Sequence, residues 1–453
     1  MGTTPTLSLD PDSAKDLDEK AEGLLALVCV IPRIGRHEAA FRPDFHVRAQ
    51  FTERDIIGEV EAAFVDYRGR VSGRTFLHGG KTLGLVGQGY KELDVLTTRA
   101  QQSSDIRRYV SARCLSDTAF HWVRERCRGG TDERFTGYVL RECAALVKNW
   151  EIWIPLFQVY IQTELSVGRV RFKTLTREML DDYSQRALNS LPQENQAAFQ
   201  AHFDRTRSRF QGCAAATIAV TAEPLRAQEV AGEEAADSIA ALRFFHFASV
   251  TPYARSYCTP AGSESLLSSS VLTVESGTIR EWEDRAFPTG DTSWVLSEEE
   301  ISELRSAGLD ALSRLLTKDK RSPFENDLLD AVLIYSRSSL LNDSASRVIH
   351  ILAAVESILL RDSSEPVGKN IGERLAFLVG RTLDERVLVR DSVTRVYRLR
   401  SAFLHHGRAL EEMEALEVFT PYVWRGFLAL TSDRDKFHTK NDLIQALERR
   451  KME

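Results

Sequence analysis

The stretch VYRLRSAFLHHGR, residues 396–408, decides how the C-terminal third of this 453-residue chain is read. Apolar residues before and within it fall at Val389, Val393, Val396, Tyr397, Phe403 and Leu404. Spacings of three and four mark one face of an amphipathic helix. Arg400 falls on the same stripe, midway between Val396 and Leu404, whereas Arg395 and Arg398 lie off it. A guanidinium turned toward a bundle core costs several kcal/mol unless it is paired and hydrogen-bonded. The segment SRVIHILAAVESILL offers a partner, because Glu356 shares a line with Ile349, Leu352 and Leu359. A Glu356–Arg400 pair across two packed helices satisfies both groups, either as a purely structural bond or as the support of a working arginine.

Two histidines follow. Five residues along a continuous helix turn His405 about 140° away from Arg400 and carry it about 7.5 Å along the axis. One straight helix therefore does not aim both groups at one small target. Gly407 suggests a helix end that lets the imidazole swing. Alternatively, a second copy of the helix related by a two-fold axis sets two Arg/His pairs in one cleft.

Outward from this helix the sequence is helical for a long way. Ser297 and Glu300 in TSWVLSEEE form a capping-box signature. Helices are then expected over 323–341, 344–361, 370–380, 384–406, 409–431 and 440–450, punctuated by Pro323, EPVG and Pro421. Upstream, strand-like LLALVCVIP, GEVEAAFVDYRGRVSGRTFL, EIWIPLFQVYIQTEL, VGRVRFKTLT, CAAATIAVTAE and SLLSSSVLTVES alternate with helical stretches such as 103–128, 193–211 and EEAADSIAALRFFHF. The expected fold class is α+β, an N-terminal mixed α/β region followed by an all-α helical bundle. The expected divisions are a disordered tail over 1–22, a mixed sensing or regulatory region over 23–295, and the all-α domain over 296–453.

Composition excludes several functions. With 59 Lys and Arg against 65 Asp and Glu, the net charge of -6 argues against a whole-protein nucleic-acid coat, though local basic patches remain open. Six scattered cysteines show no CxxC pair and no spacing for a zinc site, so no metal and no cofactor are expected. The polar, acidic start does not read as a secretory leader, and no apolar run reaches bilayer length, so a cytoplasmic protein without membrane contact is expected. HGGKTLGLVGQGYKE fails two nucleotide motifs: Thr75 stands where a P-loop needs its first Gly, and Glu92 where a dinucleotide fingerprint needs its third. A glycine-rich turn between strands is the better reading. The aromatic run NWEIWIPLF is read as core rather than as a base-stacking platform.

The segment YRLRSAFLHHG resembles the motif of the HEPN ribonuclease superfamily, in which Arg, a small polar residue and variable positions precede His. Arg400, Ser401 and His405 match it with four residues between Arg and His. Tyr397 to Ser401 looks like the form found in the ApeA-like branch, and AAVESILL and IGERLAFLVG resemble that branch's preceding helices in order. The resemblance spans roughly residues 320 to 430. One departure is that His406 intervenes before Gly407, where the branch has Gly directly after the catalytic His. Spacing from the arginine favours His405, and adjacency to the glycine favours His406.

The resemblance implies a metal-independent endoribonuclease that works as a homodimer, in phage defence or as a regulated toxin. Arg400 and His405 are then catalytic, with Glu356, Tyr397, Ser401 and His406 in support. Attack by the ribose 2′-OH leaves 2′,3′-cyclic phosphate and 5′-OH ends. An imidazole suits the proton transfers and a guanidinium the phosphoryl charge. From Glu373 to Arg408 eight arginines face four acidic residues, which fits an RNA groove beside the helix. The N-terminal region is expected to meet a trigger or inhibitor. The reading from another class is a non-catalytic HEPN-like module that dimerises or binds a nucleotide, with recognition done by the N-terminal region.

Overall fold

The computed structural model describes residues 7–31, 62–65, 70–261, 268–275, 278–286, 293–341, 343–362, 364–406 and 413–452. The fold is α+β, with sheets in the N-terminal region and a many-helix C-terminal region. It divides into two compact units, Met1–Trp150 with Ala219–Val230, and Glu151–Ile218 with Ala231–Glu453.

While residues 1–6 lie outside the described residues, the first unit corrects the expectation of a disordered tail over 1–22 where it overlaps the helix Pro11–Leu25. Asp10 caps it by accepting from the Ser13 amide, and Pro11 occupies the first turn, where a missing N–H costs nothing. Leu17, Ala21 and Leu24, spaced four and three, are buried. The polar composition hid a narrow apolar stripe. An antiparallel sheet runs in the order Cys29–Val30, Lys81–Val86, Val71–His78, Ala62–Val65. Its central hairpin turns through Gly79 and Gly80 at φ 56° and 74°, as a tight two-residue hairpin turn requires. The glycine-rich turn read from HGG is therefore present. Helices Ala112–Arg128 and Phe135–Leu146 contribute Phe120, Trp122 and Phe135 to this unit's core beside Phe76.

A second sheet has the order Lys148–Pro155, Ala214–Ala222, Val170–Thr174, Leu165–Val167. In NWEIWIPLF only Leu156 is fully buried, while Trp150 and Trp153 are half-buried at the sheet. The second unit is otherwise dominated by helices Pro323–Ser338, Ser344–Leu359, Val367–Val379, Leu383–His406, Met413–Ser432 and Lys440–Arg450. The capping box of Ser297 and Glu300 forms, and Ser322 with Glu325 repeats it. The Met413–Ser432 helix runs through Pro421.

The bundle core does not begin at residue 296. Phe244, just after helix Pro224–Arg243, lies 5.7 Å from the ring of Tyr335, 6.0 Å from Trp424 and 6.4 Å from Phe427. Two buried arginines bind the following segment to the bundle. Arg243 donates to the carbonyls of Ser336 and Cys258, and Arg347 donates to those of Pro252, Ala254 and Ala248. The Ser256 amide donates to the Ser339 carbonyl across 2.8 Å. Strand Trp294–Leu296 pairs in parallel with Val159–Ile161. The division drawn at 295/296 thus follows a change of secondary structure and cuts through one packed body.

Candidate functional site

The helix Leu383–His406 carries the motif and packs against Val367–Val379 and Met413–Ser432. Val389, Val393 and Val396 are completely buried, as the three-and-four spacing demands. Beyond them the stripe leaves the core. Tyr397 and Arg400 are half-buried, Phe403 is half-buried, Leu404 is 47% exposed, and Ser401 and His405 are exposed. The helix is continuous through Arg400 and His405, so the rotation and rise derived above hold within one chain. The side chain of His406, and Gly407 with the helix end it was expected to mark, lie outside the described residues.

Glu356 does not pair with Arg400. Its Oε1 instead accepts a 2.8 Å hydrogen bond from the phenol of Tyr397. Tyr397 lies three residues before Arg400, on the same side of the helix, and its phenol is the group that reaches Glu356. Burial pushes the Tyr397 phenol pKa up, and the neighbouring Glu356 carboxylate adds to the rise, while Arg400 opposes it. The phenol therefore stays protonated and donates. Among the described residues Arg400 has no ion-pair partner. Its half-exposed position removes the need for one, since the charged head reaches water where a fully buried head would not. The premise that Arg400 faces a closed core is corrected accordingly.

The structure brings Tyr397 and Glu356 together and sets Arg400, Ser401 and His405 on the emerging end of the same helix. Of the eight arginines, Arg408 lies outside the described residues, and the other seven are not gathered into one groove. Arg374 is buried, donating to Glu365, Glu448 and the carbonyl of Leu359. That arginine holds the Glu365 carboxyl down at about 2, chiefly by its hydrogen bonds. Arg390 pairs with Asp391, and Arg395 and Arg398 are exposed. Arg381 and Arg386 stand at the opposite end of the motif helix, in a cleft with Arg425 and Arg450. Sequence reasoning grouped Arg381 and Arg386 with the motif because they are close in the chain. It missed Arg425 and Arg450, which only the packing of three helices brings to the same place.

Among the described residues no cluster of three or more His, Cys, Asp or Glu side chains is placed to hold a metal ion. Among the same residues no helix is long and apolar enough to cross a membrane. Compared with protein-family models, with curated proteins and with solved structures, the chain matches none.

Proposed function

We propose that the C-terminal bundle is a metal-independent endoribonuclease of HEPN type, with Arg400 and His405 as its catalytic pair. The observation that carries this reading is the emergence of the motif stripe from the core. Val396 is sealed, whereas Arg400 is half-exposed and His405 exposed, so a cation and an imidazole are presented from the last turns of one anchored helix. The Tyr397–Glu356 hydrogen bond fixes the turn that precedes them.

In the proposed reaction the imidazole of His405 takes the proton from a ribose 2′-OH. The freed oxygen attacks the adjacent phosphorus, and the 5′-oxygen leaves with a proton returned from an acid. Arg400 grips the non-bridging oxygens and stabilises the charge that builds there. The ends are a 2′,3′-cyclic phosphate and a 5′-OH. Because Arg400 and His405 point about 140° apart, a second copy of the chain supplies the complementary member of each pair. The resemblance to the ApeA-like branch supports a role in phage defence or as a regulated toxin, with the N-terminal region receiving the trigger.

The test is incubation of the purified protein with mixed single-stranded RNA and DNA in EDTA. RNA-only cleavage with cyclic-phosphate ends supports the reading, and its loss in His405→Ala and Arg400→Ala assigns the pair. If His405→Ala and His406→Ala each cut RNA at the wild-type rate, the reading fails.

A further inference from the structure

At the start of the motif helix, roughly 25 Å along its axis from Arg400, four arginines line a cleft of about 660 Å³. Arg381 and Arg386 come from the turn before and into the motif helix, Arg425 from Met413–Ser432, and Arg450 from the end of Lys440–Arg450. The apolar floor includes Leu378 and Leu428.

The turn that presents the first two arginines is fixed. The Glu385 amide donates to Thr382 Oγ1 at 3.2 Å, and Glu385 Oε2 accepts from the Arg381 amide at 2.7 Å. Arg386 is held by a 3.2 Å bond to the Gly380 carbonyl and stacks over Phe377 at 4.5 Å. Arg425 donates to the Val379 carbonyl at 3.3 Å and lies 3.5 Å from Glu385. Those two therefore also close the C-terminus of helix Val367–Val379, satisfying carbonyls that the helix leaves open. That structural duty does not extend to the other two. Among the described residues no carboxylate pairs with the guanidinium of Arg381 or Arg450, and both side chains are exposed.

The pair of Glu385 with Arg425 is thus the one ion pair made by any of the four guanidiniums among the described residues. Four like charges set against one carboxylate repel, and a bound anion lowers that cost. Guanidiniums also present forked donors that match phosphate oxygens two at a time. The volume is that of a small-molecule site, and the cations arrive from separate chain segments around one space. An extended strand would call for a row of cations instead. We infer that this cleft binds a compact polyphosphate, two or more adjacent phosphate groups seated among Arg381, Arg386, Arg425 and Arg450. The source of that chemistry is either inorganic polyphosphate or the phosphate chain of a nucleotide. The inference stands apart from the ribonuclease reading, since it concerns the other end of the helix and is read by binding.

The experiment titrates the full-length protein with inorganic tripolyphosphate, with ATP in EDTA, and with a twelve-residue RNA, by calorimetry at fixed ionic strength. The variant is Arg381→Glu with Arg450→Glu, which leaves both carbonyl-capping arginines in place; its circular dichroism and melting temperature confirm the fold. Tripolyphosphate binding that weakens tenfold or more in the double variant supports the site. ATP binding tighter than tripolyphosphate assigns a nucleotide source, and equal or weaker binding an inorganic one. Absent tripolyphosphate binding, binding unchanged in the folded double variant, or binding confined to the RNA strand overturns it.

Discussion

Tyr397 donates its phenolic hydrogen to Glu356 across 2.8 Å, tying the motif helix to Ser344–Leu359 one turn before Arg400. Tyr397→Phe removes the donor and leaves a half-buried carboxylate short of a partner. The loss expected is about 1–2 kcal/mol of stability, read as a lower urea midpoint with an unchanged slope. If the midpoint does not move, Glu356 has found another donor and the bond does not anchor the site.

Arg400→Lys separates charge from geometry. Lysine keeps the positive charge but lacks the planar fork that grips two phosphate oxygens. RNA cleavage is expected to fall by about ten- to a hundred-fold, with less than about 0.5 kcal/mol change in stability at this half-exposed position. A variant as active as the parent removes bidentate phosphate binding from the proposal.

His246 predicts a pH dependence of folding. It is 2% exposed, and burial first, then the nearby Arg243, lowers its pKa to about 4 from 6.5. Its Nδ1 accepts from the Ala248 amide at 3.1 Å, which requires the neutral ring. Between pH 6.5 and 4 the unfolded chain binds a proton that the folded chain refuses, so stability rises with pH across that window. Acidification from pH 7 to 4 should cost up to about 3 kcal/mol from this residue. Chemical denaturation of the protein and of His246→Gln at a series of pH values checks it, the variant giving the flatter profile over that window.

Arg347 should be among the costliest single replacements. It is 2% exposed and donates to three backbone carbonyls of the segment 248–254. Arg347→Met leaves those carbonyls unsatisfied and should cost roughly 3 kcal/mol or more. Arg398→Ala, on the exposed face, should stay within about 0.5 kcal/mol. Similar melting temperatures for the two variants would contradict this assignment.

The long C-terminal helices were legible because their apolar spacing is regular and their caps are explicit, Ser297 with Glu300 among them. The helix Pro11–Leu25 was not, since only Leu17, Ala21 and Leu24 bury and the acidic residues around them read as a tail. For the candidate site the sequence identified which residues share the motif helix, and it placed Glu356 on the facing one. It assigned Glu356 to Arg400 rather than Tyr397 because spacing along a helix does not say which side chain reaches across. The buried arginines Arg243, Arg347 and Arg374 gave no sign of themselves. Their acceptors are mostly carbonyls and carboxylates brought close by folding, and an arginine code letter looks the same in solvent and in a core.

The chain passes from one compact unit to the other at Trp150, returns for Ala219–Val230, and leaves again. A junction placed at any single internal point of the chain therefore carries an incomplete copy of at least one unit. A transplant limited to 296–453 leaves behind Phe244 and Arg243, and with them part of the bundle's interior. Neither unit is one contiguous stretch, so a single cut of the chain cannot release either of them whole and alone.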